Sequence, residues 1–355
     1  MSKSNILLRL QRLAQQKYTP WFAINIHRVS LPFTFVATQK QYAHHLIPIY
    51  KAMPKTARGL FHVPTPLHTW LKNQGIEPCH LNTNKGTGPL VTAGICDIET
   101  ATRRPIIYVE HGVGMQYANI CFAHLPGGHD ARDRVNLFLS PSYRCGKIDQ
   151  EAHPWAQVSI VGCPKMDKYF VTPNVPKPPT TDYISFSTHW DWPLIPETRS
   201  AWPEYRWALK EAARSYKILG HAHPRWGDKI YEDFKGIGLI PCREPNEIFE
   251  KSMLHICDNS SLLYEFNLLN RPSVVINSKH YRKNVQHGLR FWDHIPGCMT
   301  ENLSLVELIA SSLAQKEETE KHRKAIADLT YVNHGTATQA AVSALLEWQE
   351  TYILS

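Results

Sequence analysis

Short apolar runs alternate with longer segments of helical spacing along most of this chain. Runs such as 33–38 and 105–109 have the length and the β-branched and aromatic content of buried strands. Segments such as 41–53, which lie between these runs, have the length and spacing of helices that pack on a sheet. Glycine and proline residues separate the two kinds of segment. The alternation predicts an α/β protein built on parallel, doubly wound sheets.

The alternation occurs twice, before and after a proline-rich stretch. Before the stretch, strands are predicted at 33–38, 59–63, 90–93, 105–109, 136–140 and 158–161, and helices at 41–53 and 66–74. After it, strands are predicted at 183–187, 216–220, 254–257 and 273–276, and helices at 198–213, 244–251, 261–269, 303–327 and 338–352. The stretch itself, 171–182, holds four prolines and no periodicity, which is typical of a stiff connector.

This repetition predicts two Rossmann-like domains that face each other across a cleft. The expected parts are an N-terminal extension with a helix at 1–30, a first domain at 31–172, a linker at 173–182, a second domain at 183–335 and a C-terminal helix at 336–355. The pattern leaves open whether the last helix returns to the first domain. Ligands of such folds bind in the cleft, at the carboxyl ends of the strands, so functional residues are expected there.

The composition narrows the class of protein. A length of 355 residues with 43% hydrophobic and 20% charged residues is ordinary for a globular protein of two domains. No apolar run reaches the ~18–20 residues of a transmembrane helix, and the N-terminus lacks the features of a signal peptide, so we expect a cytoplasmic protein. Eight cysteines without a CxxC pair indicate reduced thiols rather than a disulfide framework or a zinc site.

The charge balance predicts an anionic partner. The net charge is +8 with a pI near 9.0, which suits nucleotide phosphates, a phosphorylated acceptor, an acidic membrane surface or nucleic acid. The basic residues are spread along the chain, and this weakens the case for nucleic acid. The N-terminal helix, predicted at 5–17, has Arg9 and Arg12 beside apolar positions. We favour packing of this helix on the first domain; peripheral attachment to the inner face of a membrane is the alternative.

The segment 257–266 carries the strongest signal for a ligand site. It reads as a buried strand end, a polar turn and a helix start, with Asp258, Ser260 and Ser261 at positions where free N–H groups attract anions. Glu265 lies one helical turn after Ser261, on the same face. Hydroxyls for phosphate and a carboxylate for ribose hydroxyls suit a nucleotide diphosphate donor. The segment therefore indicates a group-transfer enzyme.

A second strand end, 106–114, carries a histidine between an acid and a glycine turn. The carboxyl end of a parallel strand opens into the cleft, so His111 and Glu110 are predicted there, on the acceptor side. Gly112 and Gly114 permit a tight turn and close approach of a ligand to the backbone. A neutral histidine can take the proton of an acceptor hydroxyl near pH 7, so His111 is predicted to be catalytic. The alternative is a histidine that only satisfies hydrogen bonds at a strand end.

The segment 218–226 gives a matching strand end in the second domain. His223, predicted as the second catalytic histidine, and Arg225 are placed to stabilise the donor phosphates and the leaving nucleotide. The His-x-His spacing of His221 and His223 suggests a metal, but no third ligand at useful spacing accompanies it, so no metal is expected.

Two further turns add polar residues to the predicted cleft. Lys165 follows the strand at 158–161 and is placed to reach a phosphate from the acceptor side. Ser187 and Thr188 end the first strand of the second domain, where their hydroxyls are expected to contact the donor.

The order of these motifs resembles the CDP-glycerol glycerophosphotransferase family, which includes the teichoic-acid primases and polymerases. The shared motifs are His111-Gly112, Gly162-x-Pro164-Lys165-x-Asp167, Thr188-His189-Trp190-Asp191, His223-Pro224, Asp258-Asn259-Ser260-Ser261, Arg271-Pro272 and Asn333-His334-Gly335-Thr336-Ala337. The resemblance implies a GT-B fold, in which two doubly wound domains face each other across a cleft. It also implies a nucleotide-linked donor as substrate and no separate cofactor.

The resemblance assigns roles to individual residues. It makes His111 the catalytic base and His223 the residue that holds the donor phosphate. It makes Ser260, Ser261 and Glu265 the residues that bind phosphate and the cytidine ribose. The chain departs from the family pattern at Val113-Gly114, Glu110 and Asn259, which stand where Thr-Pro, an aromatic residue and Tyr are usual. These departures leave the acceptor and the exact donor open.

The leading hypothesis is a transferase that moves a glycerol-phosphate or related polyol-phosphate unit from a CDP-linked donor to an acceptor hydroxyl and releases CMP. Its acceptor would be anionic: a polyol-phosphate, a glycan-lipid or DNA. A second hypothesis keeps the fold but makes the protein a glycosyltransferase that uses a UDP- or GDP-linked sugar, on a glycan or on modified DNA of the phage type. A third is a non-catalytic nucleotide-binding or membrane-associated scaffold, and a nucleotide-sugar epimerase is a more distant one.

Overall fold

Two parallel sheets, one after the other along the chain, form the framework of the protein. The structure, a computed structural model, describes residues 31–81, 88–100, 104–113, 130–191, 199–258, 260–277, 294–300 and 304–354. Every strand pairing within the two large sheets is parallel in the described residues. The predicted α/β class with two doubly wound sheets is confirmed.

The first sheet has seven strands in the order β3-β2-β1-β4-β5-β6-β7. Its strands are β1 Phe33–Val36, β2 Arg58–Val63, β3 Pro78–His80, β4 Leu90–Thr92, β5 Ile106–Val109, β6 Val135–Ser140 and β7 Gln157–Ile160. Its helices are α1 Lys40–Ala52, α2 His68–Asn73, α3 Ile95–Thr100 and α4 Tyr143–Ala152. Alternate strand residues enter two hydrophobic clusters, with Val109 in one and Tyr108 in the other, because both faces of the sheet are covered. The strand order reverses between β1 and β4, where such sheets bind ligands.

The second sheet has six strands in the order β12-β11-β10-β13-β14-β15. Its strands are β10 Tyr183–Thr188, β11 Ile218–Ala222, β12 Ile240–Pro241, β13 Ser252–Cys257, β14 Ser273–Ile276 and β15 Cys298–Thr300. The helices of this half are α5 Trp202–Ala212, α6 Lys229–Gly236, α7 Pro245–Lys251, α8 Leu262–Asn267, α9 Leu305–Ala314 and α10 Glu320–Thr330. Here the strand order reverses between β10 and β13.

The last helix, α11 Ala337–Leu354, packs on the first sheet rather than the second. Its Leu345 and Trp348 share a hydrophobic cluster with Leu46 of α1. Gln349 donates a hydrogen bond of 2.6 Å to the carbonyl of Leu31. The chain therefore crosses from the second sheet back to the first after residue 330.

Part of the proline-rich stretch, predicted as a stiff connector without periodicity, forms regular structure. Strands β8 Phe170–Thr172 and β9 Val175–Pro176 form a small antiparallel hairpin. Asn174 adopts a left-handed conformation, with φ of 63°, and this allows the tight turn between the strands. The local turn chemistry of asparagine thus outweighs the proline content of the segment.

The predicted single helix over 303–327 is wrong, because the structure has two helices there. Helix α9 ends at Ala314 and α10 begins at Glu320. The buried Arg323 donates to the carbonyl of Lys316 in the intervening turn, at 2.6 Å, and to Asn270 Oδ1, at 3.2 Å. These bonds hold the turn and α10 against the segment that follows α8.

A shared hydrophobic cluster joins the two halves. Val113 and Met166 from the first half pack in one buried cluster with Leu263 and Phe266 of α8. Among the described residues, no helix combines the length and apolar character needed to cross a bilayer. The N-terminal helix predicted at 5–17 lies outside the described residues.

Candidate active site

Two predicted motifs from opposite sheets meet at the seam between the halves. A Cβ atom built on Gly112, which follows His111 at the end of β5, would lie 3.1 Å from Ser261 Cβ and 3.2 Å from Ser261 Oγ. These separations leave little room for a side chain at position 112. The close approach puts the predicted acceptor-side histidine next to the turn that precedes α8.

His111 is surrounded by aromatic and histidine rings of its own half. Its Nδ1 atom lies 3.2 Å from the hydroxyl oxygen of Tyr108, two residues before Glu110 on the same strand end. Its ring centroid is 5.1 Å from that of Tyr42 and 6.3 Å from that of His45. Tyr42 and His45 belong to the first turns of α1, which starts at the carboxyl end of β1. Helix α1 therefore approaches His111 from the point at which the strand order reverses, between β1 and β4.

Glu265 forms a buried ion pair that crosses the seam. Its Oε1 atom lies 2.6 Å from Nζ of Lys165 and 3.9 Å from Nε2 of His45, and the carboxylate side chain is 2% exposed. Burial, with the nearby charges of Lys165 and His111, holds the pKa of His45 well below its ordinary value. His45 is therefore neutral near pH 7, and Lys165 supplies the positive charge that Glu265 requires.

A cluster of aromatic and basic side chains lies at the carboxyl ends of β10 and β11. The rings of His189 and His223 are 5.4 Å apart, and the guanidinium carbon of Arg225 lies 4.2 Å from the ring centroid of Trp190. His223 Nδ1 accepts a hydrogen bond of 3.2 Å from the backbone N–H of Arg225. In the neutral ring the proton is then on Nε2, which suits donation to a phosphate oxygen.

The charge of Arg225, in the second half, acts on Tyr42 in the first half. Burial raises the pKa of Tyr42 in α1, and the guanidinium of Arg225 acts against that increase. Tyr42, which also packs against His111, therefore contacts a predicted acceptor-side residue and lies within electrostatic range of a predicted donor-side residue.

Helix α8 is shorter than predicted and is capped differently. It spans Leu262–Asn267 rather than 261–269, and its N-cap residue, Ser261, makes no capping bond through its side chain. Ser260 Oγ accepts a hydrogen bond of 3.2 Å from the N–H of Leu262. Ser260 rather than Ser261 therefore satisfies an N–H group at the start of α8.

Three residues predicted to contact the donor make hydrogen bonds inside the second half. Asp258 accepts hydrogen bonds from the N–H of His189 at 2.7 Å, from the hydroxyl of Thr188 at 2.9 Å and from the N–H of Ala201 at 3.1 Å. The hydroxyl of Ser187 lies 3.0 Å from Nε2 of the buried His255. Asp258, Thr188 and Ser187 therefore tie the switch-point strands together, because parallel strands bring their polar ends into mutual contact.

Glu110 is also paired within its own half. It forms an ion pair with Arg132, whose other bond, 2.7 Å long, goes to Asp149. Burial and the charge of Glu110 raise the pKa of Asp149 to about 8, against the lowering effect of Arg132. Gly114, the other predicted residue of this turn, lies outside the described residues, as does Asn259.

Within the described part of the chain, no group of three or more His, Cys, Asp or Glu residues could hold a metal ion. His221, the first histidine of the His-x-His motif, is engaged through Nδ1 with the carbonyl of Cys242 at 3.0 Å. The absence of a metal requirement stays a prediction.

Sequence reasoning missed several residues that the structure brings to the seam. They are Tyr42, His44 and His45 on α1 and Tyr108 on β5. The signal that could have found the first three is a histidine doublet one turn into the first helix after the first strand, where side chains face the carboxyl edge of a parallel sheet. Burial lowers the pKa of His44 to about 3, with Lys165 and Lys40 adding to the shift.

Two doubly wound parallel sheets with polar strand ends between them are typical of the GT-B fold. The family model described as CDP-glycerol:poly(glycerophosphate) glycerophosphotransferase matches residues 64–347, and the chain belongs to this family. The resemblance inferred from the motifs is thereby confirmed. The family makes the protein an enzyme that transfers a polyol-phosphate unit from a CDP-linked donor, so the leading hypothesis for its reaction is confirmed as well.

Solved structures with low sequence identity share the fold. The wall teichoic acid polymerase TagF aligns with a TM-score of 0.63 at 14% identity, over 98% of this chain and 97% of that chain. A TagF variant soaked with CDPG gives a TM-score of 0.62 at 14% identity, over 99% of each chain. S. aureus MnaA in complex with UDP gives 0.63 at 17% identity, over 92% of this chain and 98% of that chain. A comparison with curated proteins found no match.

Proposed function

We propose that the protein adds glycerol phosphate from CDP-glycerol to the terminal hydroxyl of an anionic polyol-phosphate chain, with His111 as the base. The observation that carries this proposal is the close approach of Gly112 to Ser261, because it brings the neighbour of the proposed base beside the turn proposed to hold the donor. The family description supports this donor and a poly(glycerophosphate) acceptor.

The proposed reaction is a single displacement at phosphorus. His111 takes the proton of the acceptor hydroxyl, and the oxygen attacks the phosphorus that carries the glycerol. The bond from this phosphorus to the bridging oxygen breaks, and CMP leaves with the electron pair. Positioning and charge stabilisation supply most of the rate acceleration in such transfers.

The donor phosphates are proposed to bind on the second half. His223 donates from Nε2, Arg225 supplies a fixed positive charge, and the hydroxyls of Ser260 and Ser261 complete the set. Glu265 is proposed to bind the cytidine ribose. Lys165 pairs with this carboxylate at 2.6 Å. We propose that the Lys165 ammonium group neutralises Glu265 and also approaches the donor phosphates.

The acceptor is proposed to be anionic because Lys168 lies within electrostatic range of three other lysines. Burial lowers the pKa of Lys168, Glu250 opposes this, and the charges of Lys165, Lys51 and Lys177 lower it further. A local excess of positive charge suits a chain that carries one phosphate per unit. Peripheral attachment to an anionic membrane through residues 1–30 is proposed from the amphipathic pattern of that segment alone. The proposed reaction uses no metal or further cofactor.

The donor assignment is tested by a thermal-shift series with the nucleotides. CDP-glycerol, CDP and CMP are expected to raise the melting temperature more than UDP, UDP-glucose or GDP. Stabilisation by uridine or guanosine nucleotides alone would contradict the donor, and it would move the search to sugar transfer.

The base is tested by CMP release from CDP-glycerol with a short poly(glycerophosphate) acceptor. His111→Ala is expected to lower the turnover rate about 10²–10⁴-fold, the usual contribution of a general base, while CDP still raises the melting temperature. His80→Ala, on an exposed side chain at the edge strand β3, is the matched control and should keep the full rate. A His111→Ala protein with the wild-type rate would remove His111 from the mechanism.

A further inference from the structure

Tyr108 contacts His111 through its hydroxyl oxygen. The phenol oxygen is 3.2 Å from His111 Nδ1, a hydrogen-bond distance. The Tyr108 side chain is 0% exposed. Burial, together with the charge of Glu110, raises the pKa of the phenol well above its ordinary value, so the group stays a neutral hydroxyl. Such a hydroxyl can donate or accept, because its hydrogen rotates about the C–O bond.

The ring of Tyr108 is held on its other side by a buried cation. The guanidinium carbon of Arg132 lies 5.0 Å from the ring centroid of Tyr108 and 5.0 Å from that of Phe138. Arg132 is itself fixed by its bonds to Glu110 and Asp149. The phenol oxygen is therefore presented to His111 from a rigid, buried support.

A base role for His111 requires a defined tautomer. If Nε2 is to take a proton, the neutral ring must carry its hydrogen on Nδ1, and a partner of Nδ1 decides which tautomer is populated. We infer that Tyr108 is a positioning residue that accepts a hydrogen bond from Nδ1–H of His111 and so keeps Nε2 as the proton acceptor. The inference rests on the proposed function, since it assigns a partner to the proposed base.

The same hydrogen bond gains strength during the reaction. Once Nε2 has taken the acceptor proton, the ring is an imidazolium, and a charged N–H donor makes a shorter and stronger bond to the phenol oxygen than a neutral one does. The ring orientation also stays fixed, since Tyr108 cannot turn away from its support. Tyr108 thus acts on the reaction only through His111 and is not expected to contact either substrate.

The other groups that face His111 are the same in the wild type and in Tyr108→Phe. Tyr42 and His45 face it from α1, Glu110 precedes it in the chain, and Ser261 lies beside the neighbouring Gly112 from the second half. None of these is altered when Tyr108 becomes phenylalanine. A shift in the titration of His111 between the two proteins therefore reports the loss of the phenol oxygen.

The test compares Tyr108→Phe with Tyr50→Phe. The control removes one phenol hydrogen bond of 3.1 Å, to the carbonyl of Gly59, in the same half of the protein and away from His111. Histidine-selective ¹⁵N labelling with NMR detection reads the tautomer and the titration of His111, which is assigned from the missing signal of His111→Gln. Turnover is followed as CMP release, and thermal melting checks that both variants fold.

The expected wild-type spectrum shows the hydrogen on Nδ1. In Tyr108→Phe this preference is lost, and the apparent pKa of His111 falls, because an acceptor for the charged ring has been removed. Turnover should drop about 10- to 100-fold, the range for residues that orient a functional side chain, and KM should change less than about twofold. Tyr50→Phe should match the wild type in all three measurements.

Three results would overturn the inference. A wild-type His111 with its hydrogen on Nε2, or an apparent pKa that rises in Tyr108→Phe, would make the phenol a donor to Nδ1. The NMR measurement does not depend on catalysis, so it separates this inference from the proposed function. If the spectra are as expected but Tyr108→Phe keeps the full rate, the hydrogen bond stands but does not position the base, and the inference fails. The base role of His111 is decided separately by the rate of His111→Ala.

Discussion

The carboxyl edges of the two sheets hold their buried charges in different ways. At the edge of the first sheet, Arg132 lies between two acidic side chains, those of Glu110 and Asp149, and packs on the rings of Tyr108 and Phe138. At the edge of the second sheet, Asp258 accepts from two backbone N–H groups and one hydroxyl. The first edge is held by a cation, whereas the second is held by neutral donors around an anion.

This difference explains which polar residues remain for ligands. In the second half, the strand-end carboxylate of Asp258 and its hydroxyl partner Thr188 are used internally, and the basic residues His223 and Arg225 follow the neighbouring strand β11. In the first half, the cation Arg132 is used internally, and His111 lies beside the seam. A positive charge on the donor side suits a diphosphate, and a histidine on the acceptor side suits deprotonation of a hydroxyl.

The largest effect on stability is expected from removing the cation of the first edge. Arg132→Met leaves the largely buried Glu110 without its cation and Asp149 without one of its hydrogen-bond donors, and breaking a buried ion pair in this way costs about 3–5 kcal/mol. Urea unfolding of the variant should show this loss in the free energy of unfolding.

Arg134→Met is the matched control for Arg132→Met. Arg134 donates one hydrogen bond of 2.9 Å to the carbonyl of Ile98 and lies on the same turn before β6. Its loss should cost about 1 kcal/mol, the usual net contribution of one hydrogen bond. Equal effects of the two substitutions would show that the first edge does not depend on a central cation.

A smaller loss that depends on pH is expected at the second edge. Asp258→Asn weakens the acceptor shared by His189, Thr188 and Ala201, and we expect a loss of about 2–4 kcal/mol near pH 5. Burial raises the pKa of Asp258 to about 6 from 3.8, against its hydrogen bonds. The folded state therefore favours the protonated acid, and the stability from this group is present below pH 3.8 and lost as the pH rises through 6.

The asparagine variant cannot lose that contribution, so the gap between the two proteins should narrow as the pH rises. Linkage gives a difference of about 1.4 kcal/mol between pH 5 and pH 7.5. Urea unfolding at both pH values measures it, with the exposed Asp182→Asn as control. CDP should still raise the melting temperature of Asp258→Asn. Loss of that response would show that Asp258 takes part in donor binding.

Much of the framework was predictable because buried parallel strands are continuous apolar runs. The strand at 273–276 was predicted with the bounds that the structure has, and β5 and β13 within one or two residues. Helices α3, α4 and α6 were missed because they are short or carry few apolar residues, as in α4, which has Gly146 in its second turn. Strand β12 has only two residues, too few for any periodicity.

For the candidate site, the sequence predicts which strand ends contribute residues, but not which contacts those residues make. The sequence indicates that Ser187 and Ser260 both follow apolar runs, but not which hydroxyl is used inside the protein. Ser187 contacts His255, 68 residues away, because β10 and β13 are neighbours in a particular register. The pairing of Glu265 with Lys165 likewise depends on how the two halves meet. Such contacts come from tertiary structure, which a local pattern does not contain.

The smallest effect is expected at the exposed part of the seam. Lys40 of α1 pairs with Glu244 of the second half, and their side chains are 33% and 38% exposed, so Lys40→Met should cost less than about 1 kcal/mol. Lys72→Met is the control, since Lys72 pairs with Glu77 at 3.1 Å within the first half alone. Both losses should shrink at about 0.5 M salt, where charges at the surface are screened.

Only Lys40→Met should also weaken the contact between the two halves, and limited proteolysis between residues 170 and 182 would detect this as faster cleavage. Equal cleavage of the two variants would show that the buried pair of Lys165 and Glu265, with the shared hydrophobic cluster, holds the seam without the outer pair.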